Sequence, residues 1–176
     1  MEQIKYLSPI GTLLLSCEQD RLCGLDFVQE GEPEDTEITS VSFGETDQKR
    51  KQLAPVFQET CRWLDLYFSG KRPDFMPDIL LHGTDFQKIV WQELSRIPYG
   101  ESVSYGDIAK EIVRSGYSAR MSAQAVGGAV GRNPVGILIP CHRVLGADKS
   151  LTGFGGGLDK KIALLKLEKI HYLEEG

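Results

Sequence analysis

No run of 18 apolar residues occurs anywhere in the 176-residue sequence, so a membrane-spanning helix is not expected. The start, Met1-Glu2-Gln3-Ile4-Lys5, lacks the apolar core of a secretory signal, which points to a cytoplasmic protein. Cysteine is scarce: Cys17, Cys23, Cys61 and Cys141, with no Cys-x-x-Cys pair among them. That disfavours a disulfide framework and a zinc ribbon, and leaves free thiols in a reducing compartment. Cys17, Cys23 and His82 are too loosely spaced for a zinc site, so no metal is expected. No Gly-Lys-Ser/Thr closes the glycine run at 153–157, so it is not a phosphate loop. Positive charge is lacking as well. The net of −5 taken alone argues against a polyanionic partner.

The distribution of charge reverses that last inference. Residues 1–83 carry 8 Lys/Arg and 15 Asp/Glu, a net of −7, whereas residues 84–176 carry 12 and 10, a net of +2. Two units are expected, 1–78 and 84–176, with any polyanion meeting the second. The alternative is ordinary solvated surface charge.

Ile4–Leu7, Thr12–Ser16 and Leu22–Val28 read as an antiparallel meander, joined by turns at Ser8-Pro9-Ile10-Gly11 and Glu18-Gln19-Asp20-Arg21. An edge strand is expected at Ile38–Phe43. A helix follows over Asp47–Phe68, its stripe made by Leu53, Val56, Phe57, Cys61, Leu64 and Phe68. Gly70–His82, with Pro73 and Pro77, reads as a linker. The second unit opens on the capping pattern Thr84-Asp85-Phe86-Gln87. Its helix shows Phe86, Ile89, Val90 and Leu94 on one face and should stop near Pro98-Tyr99-Gly100. A second helix starts at Ser102–Tyr105 and runs to about Val113. A third spans Ser122–Val130 and contains Gly127-Gly128. Paired glycines cost a helix roughly 1 kcal/mol each, so this one either packs hard on a neighbour or lies against a ligand. Two short helices joined by a turn suggest a helix-turn-helix, with plain helix packing as the alternative. In the last helix, Leu158–Leu167, the inward residues are expected to be Ile162, Leu165 and Leu158. The fold class is α+β.

Ile137-Leu138-Ile139-Pro140-Cys141-His142-Arg143-Val144 carries the chemistry. A short buried run, strand or tight turn, delivers a thiol and an imidazole side by side. Pro140 stiffens the backbone before the cysteine. An imidazole can take a thiol's proton, and the thiolate is the nucleophile. The bland alternative is a small buried hydrophobe with a neighbouring histidine. Glu168 sits near a helix C-terminus, where the dipole disfavours a carboxylate. It is either solvated or held by something basic.

Tyr105, the segment Gln124–Asn133-Pro134, the Pro140-Cys141-His142-Arg143-Val144 sequence, the glycine loop and Glu168 resemble the O6-alkylguanine-DNA alkyltransferases. The match covers roughly residues 84–170, and Pro-Cys-His-Arg-Val is highly specific. The resemblance implies a ribonuclease-H-like N-terminal domain. It also implies a helical C-terminal domain with a winged-helix-like helix-turn-helix, bound in the minor groove of double-stranded DNA. The substrate would be O6-alkylguanine, with O4-alkylthymine as a second candidate. The lesion is flipped out, and its alkyl group moves irreversibly to Cys141. By the same resemblance His142 activates the thiol through a water, Glu168 orients His142, Asn133 is a hinge and Tyr105 donates to the purine. The backbones of Val144 and Gly155 would meet the base edge. Ser122, Ala123, Gln124, Gly127 and Arg143 would meet substrate or DNA, and Arg120, four residues before Gln124, would share its face and supply phosphate contacts if the helix extends that far back. Neither a cofactor nor a metal is implied, and a monomer is expected. The sequence departs from the family at Gln124, usually arginine, and at Gly155, often serine. The competing reading is a non-enzymatic lesion binder or a helix-turn-helix regulator, but related lesion binders lack the cysteine. A thiol hydrolase would need an oxyanion hole that no segment supplies.

Overall fold

Ile4 and Tyr6 are buried while Leu7 is 40% exposed. This period of two makes β1 (Glu2–Ser8) a half-buried strand. It pairs antiparallel with β2 (Gly11–Glu18), which pairs antiparallel with β3 (Arg21–Phe27). The β2–β3 turn places Gln19 and Asp20 at φ of 52° and 54°, as in the type I′ turn whose twist suits a hairpin. β4 (Thr39–Ser42) adds parallel to β1, giving the order β3-β2-β1-β4. The meander lies where the apolar segments and turn signals predict it, and the edge strand lies within the expected 38–43. The computed structural model describes residues 1–45 and 48–174, and its units are Met1–Leu81 and His82–Gly176.

The single helix expected over 47–68 is instead two. α1 (Gln48–Lys51) ends before Ala54, and α2 (Pro55–Phe68) begins at the proline. Asp47, the expected first residue, lies outside the described residues. Pro55 suits a first helical position because it has no N–H to lose, and it forces Ala54 to an extended ψ of 144°. No side chain of its own caps α2. Asp20 in the hairpin turn accepts the Val56 N–H instead, at 3.1 Å. Val56, Phe57, Cys61, Leu64 and Tyr67 then face the sheet. Part of the expected linker is sewn to the open edge of β3: Leu22 donates to Asp78 O, and Leu80 donates to Leu22 O, both at 2.8 Å. An unpaired strand edge recruits backbone in this way.

In the second unit, Thr84 and Gln87 form the expected capping box on α3 (Asp85–Ser95), which stops slightly short of the Pro98 signal. Ser104 and Asp107 form another on α4 (Tyr105–Arg114). Ser122 Oγ accepts the Ala125 N–H, at 3.0 Å, to start α5 (Ala123–Val130). Trp91, 2% exposed, donates its indole N–H to Ala129 O at 2.9 Å and so joins α3 to α5. β5 (Val103–Ser104) pairs parallel with β6 (Val144–Leu145). α6 (Leu158–Leu167) buries Leu165 as expected and leaves Ile162 half-buried, but the rest of its inward face is shifted. Lys161, Leu164 and Leu165 are buried, and Leu158 is 47% exposed. No helix among the described residues is long and apolar enough to cross a membrane.

The paired glycines of α5 divide their roles. A Cβ on Gly127 would touch the Tyr105 ring at 3.6 Å, whereas one on Gly128 would meet nothing within 4 Å. Gly128→Ala therefore removes a helix penalty without a clash. It should stabilise the chain by about 1 kcal/mol, read as a rise in the chemical-denaturation midpoint. No gain would mean that α5 is not stably helical at this position.

Candidate active site

Asn133 follows α5 and makes two hydrogen bonds that shape the approach to the cysteine. Its Oδ1 accepts the Val135 N–H at 3.1 Å, and its Nδ2 donates to Ile139 O at 2.7 Å. Between those ties the expected buried run is a pair of tight turns. Leu138 N–H donates to Gly136 O at 2.8 Å around Ile137, whose φ is 68°. That is the rare γ-turn, strained for a β-branched residue and held because Ile137 is 1% exposed. Cys141 N–H then donates to Ile139 O at 2.8 Å around Pro140 (φ −83°, ψ 66°), the relaxed inverse γ-turn. The chain enters a single 3-10 turn, Cys141–Arg143, that presents thiol, imidazole and guanidinium in succession. Cys141 is half-buried and His142 fully buried.

Glu168 ends α6 and is not solvated; its side chain is fully buried. Its Oε2 is bonded to His142 Nε2. Its Oε1 accepts Arg143 Nε–H at 2.7 Å and Gly100 N–H at 3.1 Å. The basic partners are thus the two residues that follow the cysteine. Burial by itself would raise this carboxyl, but the hydrogen bond from His142 and the hydrogen bond and charge of Arg143 outweigh it and hold it at about 2. Burial lowers His142 below its usual value despite the carboxylate, so the imidazole is neutral at pH 7. A neutral ring that donates Nε2–H to Glu168 has its proton-accepting lone pair on Nδ1. That is the state a general base needs. Arg143 also donates to Ile97 O at 2.7 Å and lies over the Tyr99 ring, 5.7 Å from its centroid.

Tyr105 opens α4 and is half-buried, its hydroxyl 2.6 Å from Thr152 Oγ1. Lys161, 1% exposed, donates to Val144 O at 2.7 Å and to Thr152 Oγ1 at 3.0 Å. Both the phenol and the ammonium feel the charge of a Cys141 thiolate. Among the described residues no group of three or more His, Cys, Asp or Glu is placed to hold a metal.

Comparison with known proteins places the chain. Residues 85–170 match the family described as "6-O-methylguanine DNA methyltransferase, DNA binding domain". Residues 2–78 match "6-O-methylguanine DNA methyltransferase, ribonuclease-like domain". The chain belongs to the 6-O-methylguanine DNA methyltransferase family. It is 41% identical to the methylated-DNA--protein-cysteine methyltransferase of Haemophilus influenzae, over 97% of this chain and 88% of that one. It is 44% identical to the protein of that name from Mycolicibacterium paratuberculosis, over 93% and 90%. The crystal structure of Mycobacterium tuberculosis OGT in complex with DNA superposes with a TM-score of 0.76, at 38% identity, covering 96% and 93%.

The other positions that the family resemblance points to are scattered in role. Ser122, Ala123 and Gln124 are exposed at the start of α5. Arg120 does not share a helical face with Gln124, because α5 begins only at Ala123. Arg120 lies instead in a loop, bonded locally through Ser118 Oγ. Gly127 backs the Tyr105 ring and is not on the open side of the helix. Arg143 turns inward onto Glu168 and is 8% exposed, so it belongs to the carboxylate's setting and not to a DNA surface. Val144 N–H donates to Cys141 O, and its carbonyl accepts from Lys161, so both backbone groups have protein partners. Gly155 is exposed, with room for a Cβ. Sequence reasoning missed Lys161 and Thr152. A buried lysine is rare, and nothing in an amphipathic pattern marks one.

Proposed function

We propose that this chain repairs DNA by taking the alkyl group of O6-alkylguanine onto Cys141, once per molecule. The observation that carries this reading is the buried Glu168 carboxylate bonded to His142, the neighbour of the half-buried thiol. His142 Nδ1 accepts the Cys141 proton, through a water. The thiolate attacks the alkyl carbon. The sulfur–carbon bond forms, the oxygen–carbon bond breaks, and its electron pair stays on guanine. Tyr105 supports the charge growing on the purine, and the proton lost by the thiol finally rests there. The product thioether has no leaving group that water can exploit, so the thiol is not regenerated. No cofactor enters the balance.

A base inside a duplex is out of reach of a side chain in a turn, so the lesion is flipped. In this reading α4 and α5 form a helix-turn-helix, with α5 in the minor groove. The first unit is a ribonuclease-H-like domain. The protein acts as a cytoplasmic monomer on double-stranded DNA, and the M. tuberculosis relative solved with DNA supports that partner. Stoichiometry tests the reaction. Excess DNA with labelled O6-methylguanine should load one methyl group per chain and then stop. Continued turnover overturns the reading.

Gln124 is the wedge in this account, exposed near the start of α5. It can fill the gap left by a flipped base but brings no charge to the negative minor groove. Gln124→Arg should speed repair of duplex DNA by about tenfold, since flipping costs a few kcal/mol. Reaction with free O6-benzylguanine should be nearly unchanged, because a free base needs no flipping. If Gln124→Ala leaves the ratio of duplex rate to free-base rate untouched, Gln124 is not the wedge.

A further inference from the structure

Among the described residues, the buried cation near the cysteine has no carboxylate partner. Lys161 is 1% exposed, and its ammonium group donates to Val144 O at 2.7 Å, to Thr152 Oγ1 at 3.0 Å and to Thr152 O at 3.4 Å. All three acceptors are neutral, and three donors are all that an ammonium has. Burying an unpaired charge is costly, so its retention calls for a use. Burial lowers Lys161 to about 8, which leaves it charged at pH 7.

The use follows from counting protons. Thr152 Oγ1 accepts from Lys161, so its own hydrogen must go elsewhere. The oxygen within reach is the Tyr105 phenol, at 2.6 Å. If Thr152 donates there, the phenol oxygen is an acceptor on that side, and its own O–H is turned away from Thr152. We propose that Lys161 and Thr152 are positioning residues for Tyr105: the ammonium fixes the threonine hydroxyl as a donor, which directs the phenol proton toward the purine at Cys141. The chain of donors also polarises the phenol, strengthening its hydrogen bond as charge grows on the leaving base. It carries hydrogen bonds and no net proton, so Lys161 and Thr152 end the reaction as they began it. The bonds made and broken remain those of the alkyl transfer, and the inference rests on the repair reading above.

The test measures the single-turnover rate with free O6-benzylguanine, which removes DNA binding and flipping from the comparison. Thr152→Val keeps the shape and deletes the relay, and should slow the reaction by about 10- to 100-fold. Thr152→Ser restores the hydroxyl and should stay within about threefold of wild type. In a Tyr105→Phe background, Thr152→Val should add less than about twofold, because the group it positions is already gone. Should the valine chain fail to fold, Thr152→Ala takes its place with the same expectations. A Thr152→Val rate equal to wild type, a serine variant as slow as valine, or effects that multiply independently with Tyr105→Phe would each overturn the relay. A wild-type chain that accepts no alkyl group from O6-methylguanine DNA overturns the repair reading itself, so the two failures are distinguishable.

Discussion

A Cys141→Ser chain should bind DNA containing O6-methylguanine as tightly as wild type and transfer nothing. The loss should be on the order of 10⁴-fold or more, as when the nucleophile of a coupled catalytic group is removed. A serine hydroxyl is barely ionised where a thiol beside a neutral imidazole can lose its proton. Its oxygen differs from sulfur by little in size, and Cys141 is only half-buried, so folding should be kept. Binding is proposed to rest on α5, which reaches the cysteine only through Asn133 and the two turns. Gel-shift affinity and transfer rate should therefore separate completely. A serine chain that still transferred would place the acceptor at Cys17, Cys23 or Cys61. Burial raises Cys17 and Cys23, and pushes Cys61 up to about 12, which makes all three poor nucleophiles at neutral pH.

The second large effect belongs to Glu168. Glu168→Gln keeps an acceptor for Arg143 and Gly100 but puts an amide where Oε2 meets His142. Two donors then face each other unless the imidazole moves its proton to Nδ1, and that tautomer cannot take a proton from the thiol. Transfer should fall by about 10³-fold, as expected when a base is held in the wrong tautomer. Arg143 is also left buried without a counter-charge, which costs about 3 kcal/mol of stability. The pH dependence has a definite sign. Glu168 lies below its usual 4.5 in the fold, so its contribution to stability is complete above that value and is lost as pH falls toward about 2. His142 is held neutral below its usual 6.5, so its contribution is likewise lost on acidification, beginning near 6.5. Glu168→Gln should remove the lower window and keep the upper one. A variant with wild-type transfer and an unchanged acid-unfolding curve would show that the carboxylate neither orients the imidazole nor balances the arginine.

Local signals proved legible where one short stretch decides the outcome. The capping box at Thr84–Gln87 read directly as the start of α3, Ser102–Tyr105 marked the start of α4, and short apolar segments between turn signals read as the meander. The Cys141-His142 pair and the awkward carboxylate at Glu168 were visible as candidates. With His142 and Glu168 26 positions apart, only the family resemblance implied the bond between them, since the packing of α6 is what brings the two together. What was not legible depended on partners from elsewhere in the chain. Pro55 carried its own signal, yet the apolar stripe running through it suggested one helix. Arg143 looked like a DNA contact until Glu168, Ile97 and Tyr99 surrounded it. Ile137 gave no sign of its left-handed backbone, since nothing about isoleucine favours it and only burial and the Asn133 ties hold it there. Lys161 was invisible because its value lies in three acceptors that come from β6 and from the loop before α6.

The most direct test of the central claim is the mass of the protein after reaction. The chain is mixed with excess duplex DNA bearing a single O6-methylguanine, then weighed intact and mapped by peptide. The account predicts a gain of one methyl group, carried wholly on the peptide that contains Cys141, with guanine restored in the DNA. An unchanged mass, a methyl group on any other residue, or repair of many lesions by each molecule would contradict it.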